Sequence, residues 1–122
     1  MRVLLVEDMD DLRESSAWLL QYAGCEVLAS PSGTDALSRL EGFTPELVLT
    51  DFMMPQMDGI ELIRRLGSMQ GLDRVPKVMV TADSRQDVER LAREAGATDV
   101  VIKPADVLDL LARYGSGEFR VE

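Results

Sequence analysis

Leu47-Val48-Leu49-Thr50-Asp51-Phe52-Met53-Met54-Pro55 runs an aliphatic, β-branched block of strand length straight into a carboxylate, and then into a stretch closed by proline. The block is continuously apolar rather than alternating, which is the pattern of a strand covered on both faces. Similar blocks stand on either side. Residues 2–6, 25–29, 46–50, 77–80 and 99–102 read as five short strands. Segments of helical period separate and follow them. The first covers 9–23 and breaks at Gly24; the second repeats through Gly33, Ala36, Leu37 and Leu40 before Gly42. The third spans 59–67 with Leu62, Ile63 and Leu66 on one face. The fourth carries Val88, Leu91, Ala92 and Ala95, opened by Ser84 and Asp87 in capping-box positions and closed by Gly96. Val107, Leu110, Leu111 and Tyr114 mark the fifth.

Strand and helix alternate strictly, so the sheet is expected to be parallel with helices on both faces, because parallel strands need long crossover connections. Right-handed crossovers then give a doubly wound α/β fold. Ligands of such sheets bind beyond the carboxyl ends of the strands. Those ends place Glu7 and Asp8 after the first strand, Asp51 after the third, Thr81 after the fourth and Lys103 after the fifth. Three carboxylates brought together push one another's pKa upward unless a cation intervenes. A hard divalent ion with oxygen ligands, such as Mg2+, removes that conflict. A carboxylate nucleophile, a metal, an ammonium and a hydroxyl are the parts needed to form and hold an acyl phosphate. Taken singly, each residue has a plainer reading as a solvated acid, a strand threonine or a surface lysine; their placement at one sheet edge favours the chemistry. Asp58-Gly59 reads as a turn and helix start, and the methionines as packing groups.

Composition bounds the rest. The 122 residues, 46% of them hydrophobic, suffice for one domain, expected over residues 1–114, with Gly115-Ser116-Gly117 opening a linker or tail that continues to residue 122. The 13 basic and 22 acidic residues leave a formal net charge of -9, which argues against nucleic acid as a partner of this domain. Cys25 is the single cysteine, so no intramolecular disulfide can form, and no histidine is present to serve as base, ligand or phosphorylated group. No apolar run approaches the roughly 18 residues of a membrane span, and the first apolar stretch meets Glu7 too soon for a signal peptide. The expected compartment is the cytoplasm, with no membrane partner.

Val3-Leu4-Leu5-Val6-Glu7-Asp8, the quoted stretch together with Met57-Asp58-Gly59, Val78-Met79-Val80-Thr81-Ala82 and Val101-Ile102-Lys103-Pro104 occur in this order over residues 3–104. In that order and spacing they resemble the receiver domain of two-component response regulators, whose single-domain form is the chemotaxis regulator. The resemblance implies a flavodoxin-like three-layer sandwich with five parallel strands in the order 2-1-3-4-5. It implies that Asp51 accepts a phosphoryl group from a phospho-histidine of a sensor histidine kinase or a histidine phosphotransfer protein. Asp8, Asp51 and the Met53 backbone carbonyl would ligate Mg2+, with Glu7 acting through water. Thr81 and the Ala82 amide would bind phosphate oxygens, Lys103 would pair with the phosphate, and the Lys103-Pro104 bond would be cis. Activity is expected to be limited to self-phosphorylation from donors and autodephosphorylation.

Two positions depart from the family pattern. Val100 stands where a switching Tyr or Phe is usual, so signal transmission is expected to run through Thr81 and backbone movement. Met53, two residues after the acceptor, puts a bulky apolar group where a polar one is common, which leads us to expect a long-lived phosphoryl group. Asp99 and Arg113 resemble charges that join receivers into homodimers through the fourth and fifth units. The competing readings are an Asp-nucleophile phosphohydrolase and a receiver-like binding module that is never phosphorylated. The first requires a second Asp two residues after the nucleophile, the place taken by Met53. No G-x-G-x-x-G or G-x-x-x-x-G-K-[ST] pattern supports nucleotide binding.

Overall fold

Five parallel strands stand side by side in the order β2-β1-β3-β4-β5 in the computed structural model, which describes residues 1–115. The linker and tail expected from Gly115 onward lie, but for that glycine, outside the described residues. The strands are β1 (Arg2–Val6), β2 (Glu26–Ser30), β3 (Leu47–Asp51), β4 (Lys77–Thr81) and β5 (Asp99–Ile102). The helices are α1 (Asp10–Tyr22), α2 (Gly33–Ser38), α3 (Gly59–Gly67), α4 (Gln86–Ala95) and α5 (Val107–Tyr114). The doubly wound α/β fold expected from the alternation is therefore formed, with the expected strand order.

The period of two along each strand sorts the core into two faces. Val3 and Leu5 of β1, Leu47 and Leu49 of β3 and Val78 of β4 pack with Leu20 of α1 and Leu110 and Leu111 of α5. On the opposite face, Leu4, Val6 and Val48 pack with Ala36 of α2 and with Leu62 and Leu66 of α3. Met79 completes that face with Ile60 and Ile63 of α3 and Val88 and Ala92 of α4. Val3, Leu4, Leu20, Leu47 and Ile63 are wholly buried, each worth about 1.5–3 kcal/mol relative to an exposed side chain. Cys25 is buried, and burial pushes its thiol up. Among the described residues no helix is long and apolar enough to cross a membrane.

Two local expectations need correction. Asp51 and Thr81 are the last residues of their strands rather than the first of the following loops, so the ladder itself fixes their backbone. The Ser84–Asp87 capping box does not form: α4 starts after Arg85, and no side chain caps it. Asp83 takes over locally. Its carboxylate accepts the Arg85 backbone N–H at 3.1 Å and the Arg85 guanidinium at 2.9 Å, a turn that competes with the box and delays the helix by one residue. Of the other helix starts, only that of α1 likewise lacks a side-chain cap. Asp58 caps α3 through the Glu61 N–H at 2.9 Å, as its sequence position suggests.

Candidate functional site

The same alternation that builds the α1/α5 side of the core continues past the strand ends. Glu7 follows Val3 and Leu5, Asp51 follows Leu47 and Leu49, and Lys103 follows Val101, so three charged side chains are carried to one side of the sheet edge. Glu7, Asp8 and Asp51 offer carboxylate oxygens that all lie within 4.8 Å of one another. Glu7 and Asp51 are buried, 5% and 9% exposed, and Asp8 is more open. Lys103 Nζ bridges the two buried acids, at 2.9 Å from Glu7 Oε1 and 3.2 Å from Asp51 Oδ2.

The remaining lone pairs are shared with the backbone. Asp51 Oδ1 accepts the Phe52 N–H at 2.8 Å, and Glu7 Oε2 accepts the Met9 N–H at 3.2 Å. Burial, and then the Glu7 charge, push Asp51 up to about 6, and Lys103 opposes them only in part. Glu7 also meets a burial penalty, but its hydrogen bonds to Lys103, the Met9 amide and Asp51 outweigh it and hold the carboxyl below its usual range. For Lys103, burial acts downward, and the Glu7 hydrogen bond and the Asp51 charge more than compensate. The sequence argument expected mutual repulsion to raise the carboxylates together. Instead the single ammonium sides with Glu7, and the conflict is concentrated on Asp51.

The loop behind Asp51 is held tightly. The Gly59 N–H donates to the Phe52 carbonyl at 2.8 Å, and a Cβ on Gly59 would fall inside the contact shell of the Asp51 carbonyl oxygen. Gln56 adopts φ 72°, in the left-handed region that side chains rarely occupy. On the other side, Arg13 Nη1 donates to the Glu7 carbonyl at 2.9 Å while its Nη2 pairs with Asp10 at 2.6 Å. Sequence reasoning missed Arg13 and Gln56 in these roles. A hint existed only for Gly59, in the Asp58-Gly59 pair.

The other expected site residues fall as follows. Thr81 is buried at the end of β4, and its hydroxyl accepts the Asp83 N–H at 3.0 Å. Ala82 is the next residue and is exposed. The Lys103-Pro104 bond is cis, as expected. The Met53 side chain is 66% exposed and stands outside the carboxylate group. Val100 is opposite Met79 in the ladder and packs half-buried against the α3/α4 cluster. Asp99 and Arg113 are engaged within the chain. Asp99 pairs with Arg93 at 2.9 Å and with Arg113 at 3.6 Å, and accepts the Tyr114 hydroxyl.

Two buried acids with unequal proton affinities, a third acid beside them and a bridging ammonium form a site for a hard cation and for an anion bearing phosphate-like oxygens. Known proteins carry the same arrangement of elements. A family model for the response regulator receiver domain matches residues 3–114. Over 111 residues the chain is 35% identical to an uncharacterized 14.6 kDa protein encoded 3' of sodA1 in Leptolyngbya boryana, a match covering 91% of this chain and 85% of that one. It is 38% identical to the transcriptional regulatory protein CseB of Streptomyces coelicolor, again over 91% of this chain but only 46% of the relative, so it spans about half the length of that protein. The solved structure of the chemotaxis protein CheY4 of Vibrio cholerae matches with a TM-score of 0.87 at 27% identity, over 93% of this chain and 97% of that one. With the family match running over nearly its whole length, the chain belongs to the response regulator receiver domains of two-component signalling systems.

Proposed function

We propose that Asp51 is the phosphoryl acceptor of this receiver, taking the group from a phospho-histidine of a sensor histidine kinase or histidine phosphotransfer protein. The observation that carries the reading is the asymmetry of the two buried carboxylates: of Glu7 and Asp51, which share the Lys103 ammonium, Asp51 is the one whose charge the site fails to stabilise. Transfer makes an Oδ–P bond at Asp51 and breaks the N–P bond of the donor, whose imidazole leaves. Lys103, already 3.2 Å from Asp51 Oδ2, is positioned to follow the new negative charge. Thr81 and the Ala82 amide, one strand over at the same edge, are the donors that would meet the phosphate oxygens.

Three carboxylates within 4.8 Å suit a hard divalent cation. Asp8, Asp51 and the Met53 carbonyl would hold Mg2+, with Glu7 acting through water. Bound there, the ion would neutralise charge on the reacting oxygens. Asp51 would then lose the repulsion that raises its pKa, and Lys103 would be free to serve the phosphate.

Residues 1–114 form the receiver in this reading, and residues 115–122 a linker or tail. The compartment is the cytoplasm, where such kinases present their phospho-histidine. Homodimerisation through α4, β5 and α5 would require Asp99 and Arg113 to exchange internal partners for external ones; sedimentation with and without beryllofluoride reads this directly. The acceptor itself is tested by intact mass after incubation with acetyl phosphate and Mg2+. The wild-type chain should gain one phosphoryl group and Asp51→Asn none. Equal gain by the variant would refute the assignment.

A further inference from the structure

Beneath the acidic rim, between the sheet and the α1/α5 layer, lies a cavity of about 320 Å3. Its floor is the apolar surface of three adjacent strands, presented by Leu5, Leu49 and Val80. Leu12 and Ser16 of α1 form one wall, and Ala105 and Val107 at the entry to α5 form the other. Ser16 and Ala105, one on each wall, carry small side chains that leave the space between them unfilled. Glu7, Asp51 and Lys103 border it on one side, whereas Asp8 and Met53 do not line it. The cavity is therefore distinct from the open side of the carboxylate cluster, where a cation would enter.

We propose that this cavity is a binding site for a small, uncharged, planar apolar molecule carrying one hydrogen-bond donor. Size sets the first limit: an apolar cavity of about 150 Å3 accepts benzene, so this one has room for a fused pair of rings. Charge sets the second. An anion would meet Glu7 and Asp51, which already share one ammonium, and a cation would bring its charge onto an aliphatic floor. A neutral N–H or O–H at the rim meets acceptors instead, in the Asp51 carboxylate or the Ser16 hydroxyl, the only polar side chain that α1 and α5 contribute. A few convergent polar groups over an apolar floor is the usual composition of a small-molecule pocket. The occupant would lie against the underside of the cluster, in contact with residues that border both spaces.

The probe is indole, titrated into the intact chain and followed by amide and methyl NMR. Saturable shifts are expected at Leu12, Ser16, Ala105 and Val107, and benzene, which lacks the N–H, should bind more weakly. Ala105→Leu and Ser16→Leu each fill the space from a different wall. Each should raise the melting temperature and weaken indole binding by at least about tenfold through steric exclusion. Absence of saturable shifts up to the solubility limit of indole would overturn the proposal. So would unchanged binding in a folded filling variant, or shifts confined to residues outside the cavity.

Discussion

Removing the charge of Asp51 should stabilise the metal-free protein, and the size of the effect should depend on pH. Asp51 titrates near 6 in the folded chain against 3.8 for an unperturbed aspartate. Its folded pKa is raised, so between those values the folded state holds a proton that the unfolded state has lost. Stability is thus favoured in full below about pH 3.8 and declines as pH rises through about 6. A difference of about 2 units corresponds to about 3 kcal/mol once both limits are passed. At pH 5 the same linkage leaves about half of it. Asn at this position preserves the shape, can still accept the Phe52 N–H and can still face Lys103, so Asp51→Asn removes mainly the charge.

Urea unfolding of both proteins at pH 5 and pH 8, with chelator present, measures the difference. Asp51→Asn should be more stable by about 3 kcal/mol at pH 8 and by about half that at pH 5. Adding Mg2+ at pH 8 should narrow the gap, because an ion that binds the folded wild type more tightly than the variant stabilises the wild type selectively. A variant no more stable than wild type at pH 8, or a gap that ignores pH, would refute the reasoning. The comparison between proteins is what matters here. Asp35, Asp83 and Asp99, which do not touch Asp51, have depressed pKa values and impose the opposite pH trend on both chains alike.

Gly59→Ala should destabilise by about 2–4 kcal/mol and weaken Mg2+ binding, since the added Cβ must displace the Asp51 backbone; chemical denaturation and a Mg2+ titration read the two effects. Lys77→Met should cost about 2–3 kcal/mol, because the buried ammonium donates to the Leu72 carbonyl at 2.5 Å and the Val75 carbonyl at 2.9 Å, and methionine leaves both without it. Met53→Asn should shorten the lifetime of the phosphorylated protein several-fold, a barrier change of about 1 kcal/mol, by placing a polar group where the exposed thioether now stands; an unchanged or longer lifetime would count against the shielding role. On adding beryllofluoride, amide shifts in the segment from Thr81 to Ala92 should exceed those of the Val100 methyls, because valine has no ring to swing; the reverse order would make Val100 the transmitting element.

The sheet was legible because its three central strands, β1, β3 and β4, are covered on both faces, which turns burial into continuous apolar runs such as 47–50. The functional edge was legible for a related reason: an acid or lysine that ends such a run can only emerge at the carboxyl edge. The α4 start was not, because the capping-box pattern and the Asp83 turn compete over the same few residues and local geometry decides between them. Lys77 reads as an ordinary polar strand start, yet it is 2% exposed, since its stem folds back onto carbonyls of the preceding loop. Gln56 gives no sign of its positive φ, and the cavity under the rim depends on how Ser16 and Ala105 pack against distant strands. The unequal proton affinities of Glu7 and Asp51 depend on 2.9 and 3.2 Å contacts to one ammonium, distances that chain order does not contain.

The period of two has a further consequence for signalling. Glu7, Asp51 and Lys103 continue the strand positions that face α1 and α5, whereas Thr81 continues the file of Met79, which faces α3 and α4. Val100 lies opposite Met79 and Ile102 opposite Thr81, so both β5 positions belong to the second file. An added charge at Asp51 therefore reaches the α3/α4 side only at the sheet edge, where Thr81 and the turn to Asp83 leave the ladder. The Thr81 hydroxyl is already committed to the Asp83 N–H, and Asp83 in turn holds Arg85 at the start of α4. If Thr81 turned toward a phosphate on Asp51, that hydrogen bond would have to break, and the break would fall at a helix start lacking a side-chain cap. The first turn of α4 would then be the weakest element on the path, and a valine at position 100 would suffice, because the displacement would pass along the backbone from Thr81 to Arg85.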